Sequence, residues 1–341
     1  MDHTTPDAYT VRAAVALAVR APSVHNSQPW QWHFSGRTVE LRADPRRRLR
    51  HADPDGRDLL VSCGCALHHF TVAAAAMGWA AQVHRLPDPA RPDLLARIDL
   101  VPHDTRDADI ALAAAIPRRR SDRRRYAAGP LPVRDEIFLQ KSASDRDAVL
   151  RIVTEAPRRS ALTGAATEAD GLHRADPDYE IELAAWSGRH YAPDGVPARN
   201  AVRAPVSPHE LRVREFAGAR LPDTAGPDGA ALTVLATAGD TALDRLHAGE
   251  AASAVLLTAT RLGLASCVYT EPFELTSTRA LVRDCVLDGR LEPQLVIRVG
   301  HLPPGAPPLP ATPRRPISEV LRPVAHPYGA GLPIPDQLRG R

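Results

Sequence analysis

Apolar residues recur at helical spacing through the start of the chain, at Val11, Ala14, Val15, Ala18 and Val19. This predicts an amphipathic helix over Ala8 to Arg20. Pro22 stops it, because proline removes a backbone donor and clashes inside a helix. Pro29 is a second stop, and between the two lies a bend rich in polar side chains. Trp30, Trp32 and Phe34 then alternate with polar residues, and Gly36 allows a turn into Thr38 to Arg42, a hairpin pattern. Leu59 to Val83 is too apolar to be an exposed helix, and Gly78 punctuates it. Strand character follows at Ala80 to Leu86 and Ala96 to Val101, joined by a proline- and charge-rich connection. Asp107 to Ile116 reads as a short helix, Leu131 to Ala156 mixes strand and helix character, and Arg174 to Trp186 is helical. Leu232 to Thr237 has the valine and leucine content of a buried strand. Ala248 to Val268 is a second strong helix, and Gln294 to Val299 is a further strand.

The two strong helices share a pattern. Gly64-x-Ala66 precedes Gly78-Trp79-Ala80, and Gly249-x-Ala251 precedes Gly263-Leu264-Ala265; the first and second glycines are 14 apart in both copies (78 minus 64, 263 minus 249). Each copy leads into a short strand and then another apolar strand. This is the mark of a duplicated unit. It divides the chain into a first half (1–107), a second half (108–302) and a proline-rich tail (303–341) that wraps the other half.

Composition adds three constraints. Aromatic residues are only 4% of the 341, so the core is aliphatic and alanine-based. The 33 prolines place long ordered loops between elements; the basic, proline- and glycine-rich stretch Ser187 to Leu221 is a candidate lid over a site. The formal net charge of +3 does not call for nucleic acid. The sequence has no run of 18 apolar residues and no secretory signal at Met1-Asp2-His3, and its four cysteines suit a reducing compartment. The expectation is a cytoplasmic protein with no membrane and no nucleic-acid partner.

Candidate chemistry concentrates in two places. The bend Pro22-Ser23-Val24-His25-Asn26-Ser27-Gln28-Pro29 holds polar groups in a constrained shape suited to a flat polar ligand. Residues 118–125 contain six arginines. Arg119 and Arg123 flank Ser121, and guanidinium forks with a hydroxyl match a phosphate monoester. Pro117 suggests that this run opens a helix, whose N-terminus would add backbone donors. A solvated basic face is the competing reading; nucleic-acid binding would need stacking aromatics, which do not accompany the run. Cys63, Cys65, His68 and His69 have ligand chemistry but poor zinc spacing, and packing explains them as well. Cys267 with His247 has no recognised catalytic setting. No P-loop and no Gly-x-Gly-x-x-Gly is present.

Together these fragments resemble the nitroreductase-like FMN flavoproteins. Pro22-Ser23-Val24-His25-Asn26-Ser27-Gln28-Pro29-Trp30 is similar to their Pro-Ser-x-x-Asn-x-Gln-Pro-Trp signature, Arg119-Arg120-Ser121-Asp122-Arg123 to their phosphate motif, Gly263 through Glu271-Pro272-Phe273 to the segment leading to the flavin edge, and Arg314-Arg315-Pro316 to C-terminal basic residues near the phosphate. The motif order is permuted: ordinary members are homodimers with the flavin between subunits, whereas this chain resembles the Acg-like branch, a single-chain mimic of that dimer. The resemblance implies an α+β fold of two similar halves, with central antiparallel sheets flanked by helices. It implies FMN as cofactor, with Arg119, Ser121, Arg123, Arg314 and Arg315 at the phosphate and Pro22, Ser23 and Asn26 along the ribityl chain and ring. Gln28 supports the bend, and Glu271 lies near the reactive edge. NAD(P)H is the implied electron donor, a small-molecule redox substrate the implied partner, and monomer or homodimer the implied state. No catalytic side chain and no metal is assigned. Pro272 stands where family members usually have a glycine whose N–H faces flavin N5, and the lid leaves little room for substrate. The alternative is therefore a non-enzymatic, FMN-sequestering protein.

Overall fold

The computed structural model describes residues 5–189, 192–203, 210–211 and 214–323. Parts of the 187–221 stretch, and the tail from 324 onward, lie outside the described residues. Helix α1 (Ala8–Ala18) starts at Asp7, whose carboxylate accepts from the Thr10 N–H at 2.6 Å. A short 3₁₀ turn at Val24–Asn26 leads to strands β1 (Trp30–Ser35) and β2 (Thr38–Ala43), the expected hairpin. The first long apolar segment divides into α2 (Arg57–Ala76) and β3 (Trp79–Arg85), because Gly78 takes a φ of +85° that ends the helix. β4 (Leu94–Pro102) and α3 (Asp107–Ala113) follow. Then come α4 (Val133–Ser144), β5 (Val149–Ile152), α5 (Ala156–Arg174), α6 (Pro177–Ala185) and β6 (Ala231–Thr237). The second long segment likewise divides into α7 (Ala242–Arg261) and β7 (Ala265–Tyr269) at Gly263, φ +76°. The described chain closes with α8 (Glu271–Glu274), α9 (Thr276–Val286), β8 (Glu292–Gly300), α10 (Ile317–Val320) and β9 (Leu321–Pro323).

Two sheets result. One has the order β3-β4-β2-β1-β9, the other β5-β6-β8-β7. All pairings are antiparallel except β9, which adds parallel to β1. The tail therefore crosses from the end of β8 in the second sheet to the edge of the first.

Between the sheets α2 packs on α7, and the glycines of the repeat meet there. A Cβ on Gly64 would fall 2.1 Å from the Leu246 carbonyl oxygen and 2.9 Å from Gly249 Cα; one on Gly249 would fall 2.1 Å from the Val61 oxygen and 2.8 Å from Gly64 Cα. The clashes are reciprocal, residue for residue: each glycine faces the carbonyl three positions before the other. That is the signature of a two-fold contact, here inside one chain. By length and composition α2 could cross a membrane, but in this fold it is the core helix, buried on nearly every side.

The sequence reading differs from the structure at the arginine run and in helices it did not contain, α5 and α9. The arginine run is not the start of a helix: α3 ends at Ala113, and residues 119–126 form an irregular connection held by specific bonds. One is the Asp122 N–H donating to the Ser266 carbonyl at 2.9 Å. Helix α5 has no counterpart in the sequence reading. Its buried stripe is built on Leu162, Ala165, Ala166 and Ala169, and a stripe made mainly of alanine carries little periodic contrast.

Candidate functional site: a cleft with a basic and an acidic end

The bend after α1 is the hub. His25, Asn26 and Gln28 all have positive φ (45°, 56° and 51°), a cluster of strained non-glycine residues that needs external support. The Ser23 hydroxyl accepts from the Gln28 N–H at 3.0 Å, and Ser62 of α2 accepts from the Val24 N–H at 3.1 Å. Gln28 is fully buried; its amide donates to the Pro193 carbonyl at 2.8 Å and its oxygen accepts from the Arg315 N–H at 2.9 Å. Asn26 donates to the carbonyls of Gly195 and Pro313. The bend is thus clamped between the 187–221 segment and the tail.

Two contiguous hollows open beside it, sharing Pro22, Ser23, Ser121 and Arg123. The smaller one is basic: Arg20, Arg119, Arg120 and Arg314 line it. Arg119 and Arg314 converge on one acceptor, the Arg20 carbonyl, at 3.3 and 3.1 Å. Arg314 also bonds the Val19 and Ala21 carbonyls, so it caps the C-terminus of α1. Arg119 reaches Ser121 Oγ at 3.5 Å, and its Nε has no partner among the described residues. Among the described residues neither arginine has a carboxylate within ion-pair distance, whereas Arg124 of the same run is paired with Asp122 at 2.7 Å. Burial pushes Arg119 down to about 10 and, together with repulsion from Arg119, Arg314 down to about 9; both remain charged at neutral pH. One buried and one half-buried cation without a carboxylate among the described residues, beside a hydroxyl and a free N–H, fit a dianionic phosphate.

The larger hollow is walled by Val61, Val268, Leu295 and Phe216, with His25, Asp58 and Thr270 among its polar groups. Phe216 sits edge-on to His25, with ring centroids 5.4 Å apart, and under the Arg123 guanidinium at 4.8 Å. Arg123 also donates to the Asn200 carbonyl at 3.2 Å.

No family model matches the chain. It is 47% identical over 319 residues to a Mycobacterium tuberculosis (strain ATCC 25618 / H37Rv) protein named "Putative NAD(P)H nitroreductase Rv3131", covering 93% of this chain and 92% of that one. It is 38% identical over 315 residues to "Putative NAD(P)H nitroreductase acg" of the same strain, covering 91% and 95%. The chain belongs to the nitroreductase-like flavoprotein family, in its Acg-like branch. Among solved structures it is similar to the FMN-dependent nitroreductase NfnB from Mycobacterium smegmatis, with TM-score 0.41 and 18% identity over 63% of this chain and 99% of that one.

In this member of the family the motif residues separate into three groups. Pro22, Ser23, Asn26, Arg119, Ser121, Arg123 and Arg314 line the cleft. Gln28 and Arg315 lie behind it and hold each other; Arg315 also reaches Glu319 at 3.4 Å. Glu271 does not face the cleft. It lines a second cavity, and the neighbours that take its place in the cleft are Tyr269 and Thr270.

Glu271 belongs to a buried polar cluster behind the cleft. It accepts from the hydroxyls of Tyr269 and Tyr179. Arg214 donates to Glu274 at 2.5 Å and contacts His25 Nε2, and Thr270 donates to Asp58 at 2.6 Å. Burial outweighs the Arg214 guanidinium and pushes the Glu274 carboxyl up to about 8, with Asp58 and Glu271 adding to the shift. Burial also works against ionisation of Glu271, but Arg214, His173 and Tyr269 hold it below its usual value. His25, buried and facing Arg214 and Arg123, is held well below the usual imidazole range. The sequence reading missed His25, Asp58, Arg214, Phe216 and Thr270. His25 and Thr270 stand inside quoted motifs, Arg214 and Phe216 inside the candidate lid, and Asp58 in a segment with no motif. Cys65 and Cys267 line the cleft wall, while His68 and His69 are packing residues whose Nδ1 atoms both meet Ser253 Oγ, at 2.7 and 2.8 Å.

Proposed function

We propose that this chain binds FMN in the cleft and works as an NAD(P)H-dependent flavin oxidoreductase. The observation that carries the reading is the pair of Arg119, buried, and Arg314, half-buried, which meet at one carbonyl without a carboxylate partner among the described residues. An ionised guanidinium cannot shed its proton to escape burial, so a ligand must bring the negative charge. Arg119, Ser121 and Arg314 hold the phosphate, with Arg123 beside them. Pro22, Ser23 and Asn26 line the path from there to the apolar hollow. Bound FMN supplies the two-electron chemistry between nicotinamide and acceptor. The protein holds the phosphate, offers the ring the apolar wall made by α2 and β7, and excludes water with Phe216. The names of the relatives support NAD(P)H as donor. The protein as purified should carry a flavin absorbance that is released as FMN on denaturation and bleaches on anaerobic addition of NADH or NADPH. A colourless protein that takes up no added FMN would overturn the reading.

A second reading has its own observation. Val196, Pro197, Asn200, Arg214 and Phe216 of the 187–221 segment cover the two hollows. A flavin held under that cover and shielded from nucleotide makes the protein an FMN-sequestering one. Bleaching by dithionite but not by NAD(P)H is the result that selects it.

A further inference from the structure

Behind the cleft lies a second cavity of about 350 Å³. Arg214 and Phe216 line both spaces and form the wall between them. Polar side chains run through this wall. His173, 4% exposed, places Nδ1 3.5 Å from Glu271 Oε1 and Nε2 3.7 Å from Glu274 Oε2. Both imidazole nitrogens and Glu274 Oε2 are buried without a hydrogen-bond partner among the described residues. Such atoms in a polar space are where a proton or a bridging water is held. On its other side, Glu274 Oε1 is 3.1 Å from Thr270 Oγ1, and that hydroxyl is 2.6 Å from Asp58 Oδ2. Thr270 and Asp58 line the cleft.

We infer that His173, Glu274, Thr270 and Asp58 form a relay that carries a proton from the second cavity into the cleft. The inference rests on the flavin reading above. An acceptor that receives a hydride takes up two electrons and one proton, gains a negative charge, and needs one more proton to complete its new bond. The nicotinamide is the reductant that provides the hydride. The Thr270 hydroxyl passes its own proton to Asp58 while taking one from Glu274, Asp58 hands the proton it has received to the acceptor, and Glu274 is reprotonated from cavity water through His173. After each cycle the side chains hold the protons they began with.

The surroundings of Glu274 keep one proton available. Arg214 is the guanidinium paired with it, and Asp58 from α2 and Glu271 from its own helix face it as further carboxyls. Tyr179 of α6 stacks on His173 at 4.0 Å, and Tyr269 of β7 donates to Glu271. His25 faces the same Arg214, and Arg279 of α9 donates to the Phe273 carbonyl in the helix that carries Glu274. Three carboxyls around one guanidinium cannot all be ionised out of water.

Two measurements on the full chain test the relay. An infrared pH titration, which needs no flavin, should show, besides the Asp53 carboxyl lost around pH 7, a protonated carboxyl band that is lost around pH 8 and is absent in Glu274→Gln. In the FMN-loaded protein, stopped-flow reoxidation by a quinone should slow at least about tenfold in Thr270→Val, with a larger solvent isotope effect, while FMN affinity and the infrared band stay as in the unmodified chain. His173→Gln should slow reoxidation in the same way. Reoxidation unchanged in Thr270→Val, an infrared band that survives Glu274→Gln, or a loaded protein that reduces no acceptor would each overturn the relay. A protein that takes up no FMN overturns instead the reading beneath it, and the two failures are told apart by the flavin absorbance.

Discussion

The two ends of the cleft each carry an excess of buried charge, of opposite sign, and the chemistry of the side chains makes the consequences different. At the acidic end Asp58, Glu271 and Glu274 gather around Arg214, which among the described residues pairs with the two glutamates, while Asp58 accepts from Thr270. A carboxyl in that position can take up a proton and become neutral, and burial pushes Glu274 to about 8 for that reason. At the basic end Arg119 and Arg314 have no such exit. Backbone carbonyls solvate them partly, but the remaining charge has to be met by a ligand. The acidic end stores protons and the basic end recruits an anion.

The largest expected effect comes from removing the basic end. Arg119→Met with Arg314→Met should weaken FMN binding by at least about 100-fold, since each charge-assisted bond is worth about 1.5–3 kcal/mol. Arg314→Met will also lower the melting temperature, because Arg314 caps α1. Arg119→Met alone separates the two effects. Equal FMN retention in Arg119→Met and the unmodified chain would refute the phosphate assignment.

A smaller effect should appear with inorganic phosphate on flavin-free protein. An anion that binds only the folded state raises its stability by mass action, so the melting temperature should climb with phosphate concentration, more than with chloride at equal ionic strength. Arg119→Met should abolish the difference. Glu274→Gln, at the other end, should leave it intact.

The basic end was legible in the sequence, and the acidic end was not. Arg119, Ser121 and Arg314 stand in short motifs whose residue types announce an anion, and the equal spacing of Gly64 and Gly249 from their partner glycines announced a repeated unit, though not that the two glycines meet. The acidic cluster draws on α2, α5, α6, the segment around 214 and α8, with His173 and Glu274 separated by about a hundred residues of chain. No local pattern encodes that meeting. Glu271 shows the limit best. Its motif is visible, but the order Glu271-Pro272-Phe273 does not say which wall of β7 the carboxylate will face. In the folded chain Glu271 and Pro272 open the short helix α8, and the carboxylate lies against Arg214 and Tyr179, away from the cleft.

The acidic end should also set the pH dependence of stability. Asp53, whose buried carboxyl accepts from the Asp58 and Leu59 N–H groups in the first turn of α2, and Glu274 have folded values raised to about 7 and about 8 by burial and by neighbouring carboxyls, above their unfolded values. The stability they contribute is fully present below the usual carboxylate range and is lost as pH rises toward 7 to 8. His68 is shifted the other way, to about 3, with His25 and His69 also lowered; their contribution is present above the usual imidazole value of 6.5 and is lost as pH falls below it toward the folded values. Melting temperature against pH should therefore fall on both sides of a maximum. Asp53→Asn and Glu274→Gln should flatten the alkaline limb and leave the acid limb unchanged. An alkaline limb of the same slope in both variants would show that the carboxyls ionise freely in the folded chain.

The smallest expected effect is at Phe216, where the two ends are divided. Its ring packs edge-on against His25 and under Arg123, and it is 4% exposed. Phe216→Leu keeps an apolar wall but removes both ring contacts, a cost of about 1 kcal/mol in stability. The phosphate contacts lie elsewhere, so FMN affinity should change by less than about threefold. Access should change more. If this wall limits the approach of nucleotide, anaerobic flavin reduction by NADPH will be faster in Phe216→Leu while dithionite reduction stays the same. Equal NADPH rates in the two proteins would place the barrier elsewhere in the 187–221 cover, and Val196 and Pro197, which line the basic hollow, are the next positions to change.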